Sequence, residues 1–222
     1  MLLEIRLDPY EARVFGVLVE KALTTPDQYP LTLNAATSGA NQKSNREPVL
    51  SLSEDEVEAA LQRLEKKYMA RKVFPANSRV EKYCHNGKDA LAVDAPELAV
   101  LAELLMRGPQ TPGELRARAG RMTAIESIEQ LMTILAHLVD RDLVRRLPPL
   151  PGSRAERYVQ LLSPDLHPLE APAGAYAGVT DHEAPAPPAD LVTRLTALES
   201  EVTRLREQLR TLAEKLGHAL DG

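Results

Sequence analysis

Cys84 and His85 are the nearest this chain comes to a nucleophile beside its base. They are adjacent on a segment that reads as a strand, so their side chains point to opposite faces and cannot pair there. The other histidines, His137, His167, His182 and His218, are scattered, and no Cys or His pair has zinc-finger spacing. No glycine-rich phosphate loop is present. Glu54-Asp55-Glu56-Glu58 has the composition of a metal site, but it follows Ser53 and reads as acids opening a helix, where the macrodipole favours them. No catalytic residue, metal or cofactor is expected, and the reading is of a non-enzymatic protein.

Binding chemistry has more candidates. Asn41, Gln42, Lys43, Asn45 and Arg46 crowd one short polar stretch, 41–48. Arg63 and Lys66 stand late in a helix, and Arg79, Lys82, Arg154 and Arg157 lie on strand-like pieces. These side chains suit backbone phosphates and would give weak, salt-sensitive affinity for nucleic acid. The charge balance argues the other way. The net charge is −5, spread as 0 over residues 1–90, −1 over 91–165 and −4 over 166–222, so no segment has the global basic footprint of a nucleic-acid binder. With no Trp and only two Phe, stacking platforms for single strands are scarce. The first expectation is still weak DNA binding in a regulatory role through loop 41–48 and the hairpins; the alternative is a protein-binding adaptor that never touches nucleic acid.

The elements that position these residues occur twice. Ser78-Arg79-Val80-Glu81-Lys82-Tyr83 returns as Ser153-Arg154-Ala155-Glu156-Arg157-Tyr158, 75 positions later. Ser53, Val57, Leu61 and Leu64 return as Ser127, Leu131, Leu135 and Leu138, a step of 74, and Leu7-Asp8 with Glu11 returns as Val93-Asp94 with Glu97, a step of 86. Matches in one order imply a single module used twice. In the first copy, Asp8-Pro9-Tyr10-Glu11 starts a helix ended by Thr24-Thr25-Pro26. A shorter helix covers Thr32 to Ser38, and a third follows Ser53. Two strands, about Ala70 to Phe74 and Arg79 to His85, turn at Asn77-Ser78. The second copy repeats the order, with helices behind Asp94, Thr111 and Ser127 and a hairpin over 143–162. The expected fold is α+β: mainly α with small β-hairpins, as two tandem winged-helix domains, 1–90 and 91–165.

The step falls from 86 at the first helix to 79 at Thr32/Thr111 and 74 at the third helix, so the first copy carries extra residues on both sides of its second helix. The later insertion contains the polar stretch 41–48. A part present in only one copy is a better functional candidate than a core residue; the alternative is a longer solvated turn with Asn41 and Asn45 bonded to their own backbone. The third helices themselves make poor major-groove readers. The first opens on Glu54-Asp55-Glu56, and the second has no Lys or Arg before Arg141.

Tyr29-Pro30-Leu31, Asn41-Gln42-Lys43, Asn45-Arg46-Glu47-Pro48 and the run Arg107-Gly108-Pro109-Gln110-Thr111-Pro112-Gly113-Glu114-Leu115-Arg116 resemble the YceH family, also called UPF0502, over about residues 7–162. The resemblance implies tandem winged-helix domains and carries no activity. The family often has a cysteine just before Asn-Gln-Lys; this chain has Ala40 there.

Residues 166–189, rich in Pro and Ala, read as a flexible linker. A coiled-coil helix is expected over 190–220, because Leu191, Leu195, Leu198, Val202, Leu205, Leu209, Leu212 and Leu216 alternate steps of four and three. In a parallel homodimer, Arg194 would face Glu199 and Glu201 would face Arg206, both favourable; the alternative is an amphipathic helix folded back on its own chain. No run of apolar residues is long enough for a membrane. No export signal is read, and one cysteine, Cys84, fits a reducing cytoplasm.

Overall fold

Asp8 and Glu11 start the first helix as anticipated. Asp8 Oδ1 accepts from the Tyr10 and Glu11 amides at 2.8 and 2.9 Å, and Glu11 Oε2 accepts from the Asp8 amide at 2.7 Å. Helix α1 then runs Pro9–Thr24. The computed structural model describes residues 5–74, 80–150, 152–167 and Arg204. After α1 come a single 3-10 turn at Pro26–Gln28, α2 (Leu33–Ala40), α3 (Glu54–Lys66), β1 (Ala70–Val73) and β2 (Lys82–His85). A short helix α4 (Gly87–Leu91) leads into α5 (Ala95–Arg107), α6 (Pro112–Ala119), α7 (Ile128–Asp140), β3 (Val144–Leu147) and β4 (Arg157–Gln160).

Three helices and an antiparallel hairpin thus occur twice, with matching detail. β1 pairs β2 with Ala70 opposite His85, and β3 pairs β4 with Val144 opposite Gln160. An isolated bridge adds Leu31 to Tyr83 in the first copy and Gln110 to Tyr158 in the second. Tyr68 and Asp142, 74 positions apart, both take left-handed backbone (φ 58° and 55°) at the turn from third helix to hairpin. Asp94/Glu97, Ser53/Glu56 and Thr111/Glu114 form capping boxes like that of Asp8 and Glu11. Each cap contributes about 1 kcal/mol, so four of the helix starts are fixed by local chemistry alone.

The copies share one core. α1 and α5 lie against each other, and each is buried nearly all round: Ala12 to Val19 on one, Leu98 to Met106 on the other. That explains why the α5 sequence is apolar without a polar stripe. Burying each of Leu98, Leu101, Leu104 and Leu105 contributes about 1.5–3 kcal/mol, so this contact is the main apolar bond between the copies. The helices meet at Gly16, where a Cβ would stand 3.0 Å from Met106 Cγ and 3.6 Å from the Ala102 carbonyl. Gly16 and Ala102 are repeat equivalents, so the two copies pack through the same position of the same helix.

The expected boundary between residues 90 and 91 falls inside α4, and both copies lie in one compact unit, Met1–Glu170. Leu166 and His167, expected at the start of a linker, are buried in that unit. The Asn77-Ser78 turn, the remainder of the linker and the coiled-coil seam from Leu191 to Leu216 lie outside the described residues. Among the described residues, no helix is long and apolar enough to cross a membrane.

Candidate interaction surface

Loop 41–48 turns Asn41, Asn45 and Arg46 into the fold and leaves Lys43, Ser44 and Glu47 exposed. Asn41 closes it like a clasp: its side-chain amide donates to the Leu52 carbonyl and its oxygen accepts from the Leu52 amide, both at 2.7 Å. Arg46, expected to meet a partner, has 0% side-chain exposure. Its guanidinium donates to the Gly39 carbonyl (3.1 Å), the Asn45 carbonyl (2.9 Å), Gln42 Oε1 (2.9 Å) and Glu20 Oε2 (2.6 Å). A planar fork with this many acceptors is arginine's particular use, and it leaves no donor for a phosphate.

The loop then grips the second copy. The Glu47 amide donates to the Met106 carbonyl at 2.7 Å, satisfying one of the acceptors that the end of α5 leaves open. Asn45, with φ 61°, accepts from Arg107 through its side-chain oxygen. His167 Nε2 lies 2.6 Å from the Glu47 carbonyl and its Nδ1 3.4 Å from Gln160 Nε2. Gly108 (φ 74°) lets that ring come close, since a Cβ there would be 2.8 Å from His167 Cδ2. Arg13 donates to the Pro48 carbonyl at 2.6 Å. The two motifs that stand out in the sequence, Asn-Gln-Lys…Asn-Arg-Glu-Pro and Arg-Gly-Pro-Gln, therefore meet at one polar junction between the copies.

Burial governs the charges there. It pushes the Arg13 guanidinium down to about 10, helped by Arg46, and holds the Glu103 carboxyl above its ordinary range although Arg107 Nε lies 2.9 Å away. It also lowers His167.

Other expected cations also serve the fold. Arg63 Nε bonds Asp8 Oδ2 at 2.9 Å and lies 3.4 Å from Glu11 Oε1. Lys67 donates to Glu11 and to the Arg6 carbonyl, each at 2.6 Å. Arg141, the repeat equivalent of Lys67, reaches the Ala92 carbonyl at 2.7 Å, and Ala92 is the equivalent of Arg6. Lys43, Lys66 and Arg154 are exposed, Lys82 and Arg157 are half-buried, and Arg79 lies outside the described residues. Arg145 and Arg146, passed over in the sequence, are exposed on β3, with Arg146 3.4 Å from Glu156.

The third helices present different faces. α3 shows Glu54, Asp55, Glu58 and Glu65 beside Gln62 and Lys66. α7 shows Ile128, Glu129, Met132, Thr133 and Ala136; Ile128 is 37% and Met132 40% exposed. Between α3, α2 and the first hairpin lies a groove of about 450 Å³, with Leu33, Val80 and Tyr83 as apolar lining and Glu54, Glu58 and Glu81 as carboxylates. Glu54 accepts from Asn34 Nδ2 at 3.0 Å and Glu81 pairs with Lys72 at 2.7 Å; among the described residues no cation pairs with Glu58. Glu54 and Glu58 are the repeat equivalents of Ile128 and Met132. The step of 74 carries this contrast in the sequence itself, on the solvent side of the third helices.

Cys84 and His85 have separate surroundings. Cys84 Sγ accepts from Arg71 Nε at 3.1 Å, while the His85 ring lies against Phe15 and Tyr29 and burial lowers it to about 4. Among the described residues no cluster of His, Cys, Asp and Glu could hold a metal ion.

A family described as a protein of unknown function, DUF480, matches residues 7–173. A UPF0502 protein of Aeromonas hydrophila subsp. hydrophila is 45% identical over 223 residues, 96% of this chain and 98% of the relative. One of Mesorhizobium japonicum is 46% identical over 209 residues (93% and 96%), and one of Koribacter versatilis 49% over 168 residues (74% and 78%).

Proposed function

The chain belongs to the UPF0502 family of proteins of unknown function, and we propose that it is a non-catalytic tandem winged-helix protein acting as a protein-binding adaptor. The order helix, bridging residue, helix, helix, hairpin in each copy is that of a winged helix-turn-helix. In DNA-binding members of that class, the third helix enters the major groove with its N-terminal residues on base edges. The observation that carries the adaptor reading is what stands at that position here. α3 offers four carboxylates, α7 offers Ile128, Glu129, Gln130, Met132 and Thr133 with no Lys or Arg, and Arg46 and Arg63, which would have supplied positive charge, are bonded within the fold. Phosphate binding gains its energy from counterion release by exposed cations. The test is fluorescence anisotropy of a random-sequence duplex with the intact chain at low salt: no binding is expected, and salt-sensitive binding defeats the reading.

One observation favours a second reading. Arg145, Arg146 and Arg154 are exposed on the second hairpin and could touch backbone phosphates. Weak duplex binding abolished by Arg145→Ala with Arg146→Ala would support it. We further propose that the leucine seam from Leu191 to Leu216 pairs two chains in the cytoplasm; sedimentation of the chain ended at Ala189 should then lose the dimer mass.

A further inference from the structure

We propose that the groove between α3 and the first hairpin binds a segment of a partner protein in which a lysine or arginine is flanked by apolar residues; this rests on the adaptor reading above. The groove joins two chemistries. Leu33, Val80 and Tyr83 give apolar lining along which the aliphatic stem of a long cationic side chain can lie. Glu54 and Glu58, one turn apart on α3, stand where the charged head would end. Glu54 is held by a neutral amide, among the described residues no cation pairs with Glu58, and Glu81 is matched by Lys72. The volume, about 450 Å³, is within the range of pockets that take small ligands or a few side chains.

The occupant is a protein segment because apolar surface continues beyond the groove on the same hairpin. Phe74 is 65% exposed, and Val80, at the groove's edge, 56%, which suits residues flanking the cation and would be wasted on a small free cation. The second copy supplies the contrast. In the second copy the two glutamates become Ile128 and Met132, so the same place in the same fold has lost the carboxylates. Cation recognition is therefore a property of these residues and not of the scaffold.

The experiment uses the intact chain and two labelled peptides, one repeating Lys-Leu-Ser and its twin repeating Glu-Leu-Ser, read by fluorescence anisotropy at low and physiological salt. The lysine peptide is expected to bind and the glutamate peptide to remain free. Glu54→Gln with Glu58→Gln should weaken the lysine peptide about tenfold. Glu126→Gln with Asp140→Asn, which removes the same charge from exposed sites in the second copy, should leave it unchanged. Failure of the lysine peptide to bind, or equal weakening by the two double variants, overturns the groove assignment. Capture of duplex DNA in the same assay would instead overturn the adaptor reading on which it rests.

Discussion

His137 stands in the second copy where Arg63 stands in the first, and each faces the carboxylate that closes the capping box of its own first helix. Arg63 Nε is 3.4 Å from Glu11 Oε1 and His137 Nδ1 is 3.7 Å from Glu97 Oε1. The pairing of third helix with first thus recurs in both halves, as an ion pair at Arg63 and as a longer approach at His137. In the first, Lys67 adds a second cation at 2.6 Å, and the Glu11 side chain is fully buried. Lys67→Met should therefore cost about 2 kcal/mol, the scale of a hydrogen bond to a charged group. His137, mostly exposed, holds its acid from the surface, and His137→Ala should move the urea midpoint little. Equal losses in the two variants would show that the ties are not graded by burial.

Arg46 supplies the second prediction. Removing its side chain leaves Glu20, Gln42 and the Gly39 carbonyl without their donor inside the junction. Arg46→Met should destabilise by about 3–5 kcal/mol, the cost of breaking a buried pair by deleting one partner. Arg46→Lys should recover little of it, because an ammonium cannot span the same acceptors. Hydrogen exchange should rise first at the Glu47 amide, whose bond to Met106 is the loop's hold on α5. A stable Arg46→Met variant with altered partner binding would return this arginine to the surface role first expected of it.

Much of this architecture was legible in the sequence because helix starts are written locally. Asp8, Ser53, Asp94, Thr111 and Ser127 each cap a helix as their spacing to the next acid or amide predicts. α4 was missed: five residues carry no period, and they fill what looked like a boundary. The contacts of loop 41–48 are not legible in the sequence for a different reason. Its polarity is the same whether its partners are solvent, nucleic acid or the end of α5, and only the tertiary contact at Met106 and Arg107 distinguishes them. The insertion is unique to the first copy because it bridges to the second, a task one copy performs for both.

The crossing of α1 and α5 gives a third prediction. Gly16→Ala brings a methyl to 3.0 Å from the flexible Met106 chain, which can shift, so the loss should stay near 1 kcal/mol. Gly16→Leu cannot be accommodated beside the Ala102 carbonyl and should cost about 3 kcal/mol or more. Thermal unfolding of the two variants checks the gradation, and a leucine tolerated as well as alanine would mean that the copies do not meet closely at this position.

Acid should weaken the fold, and the sign follows from two histidines. Burial pushes His85 down to about 4 and lowers His167 as well, so both stay neutral in the folded chain after the unfolded chain has begun to take up protons. Stability contributed by keeping them neutral is complete above the unfolded value of about 6.5 and is lost as pH falls below it. For His85 that loss continues toward pH 4. Each such histidine removes up to about 1.4 kcal/mol per pH unit. His85 Nδ1 accepts from the Gly87 amide at 3.3 Å, and Lys88 adds repulsion against a charged ring; His167 sits between the Glu47 carbonyl, Gln160 and Arg13. Glu103 works in the opposite sense, because burial raises its carboxyl and protonation relieves it, but it is one group against two. Between pH 6.5 and 5 the histidines should therefore dominate. Urea denaturation across that interval should show stability falling with pH, and His85→Gln with His167→Gln should flatten the slope even where the double variant is less stable at pH 7. An unchanged slope would place the protons elsewhere.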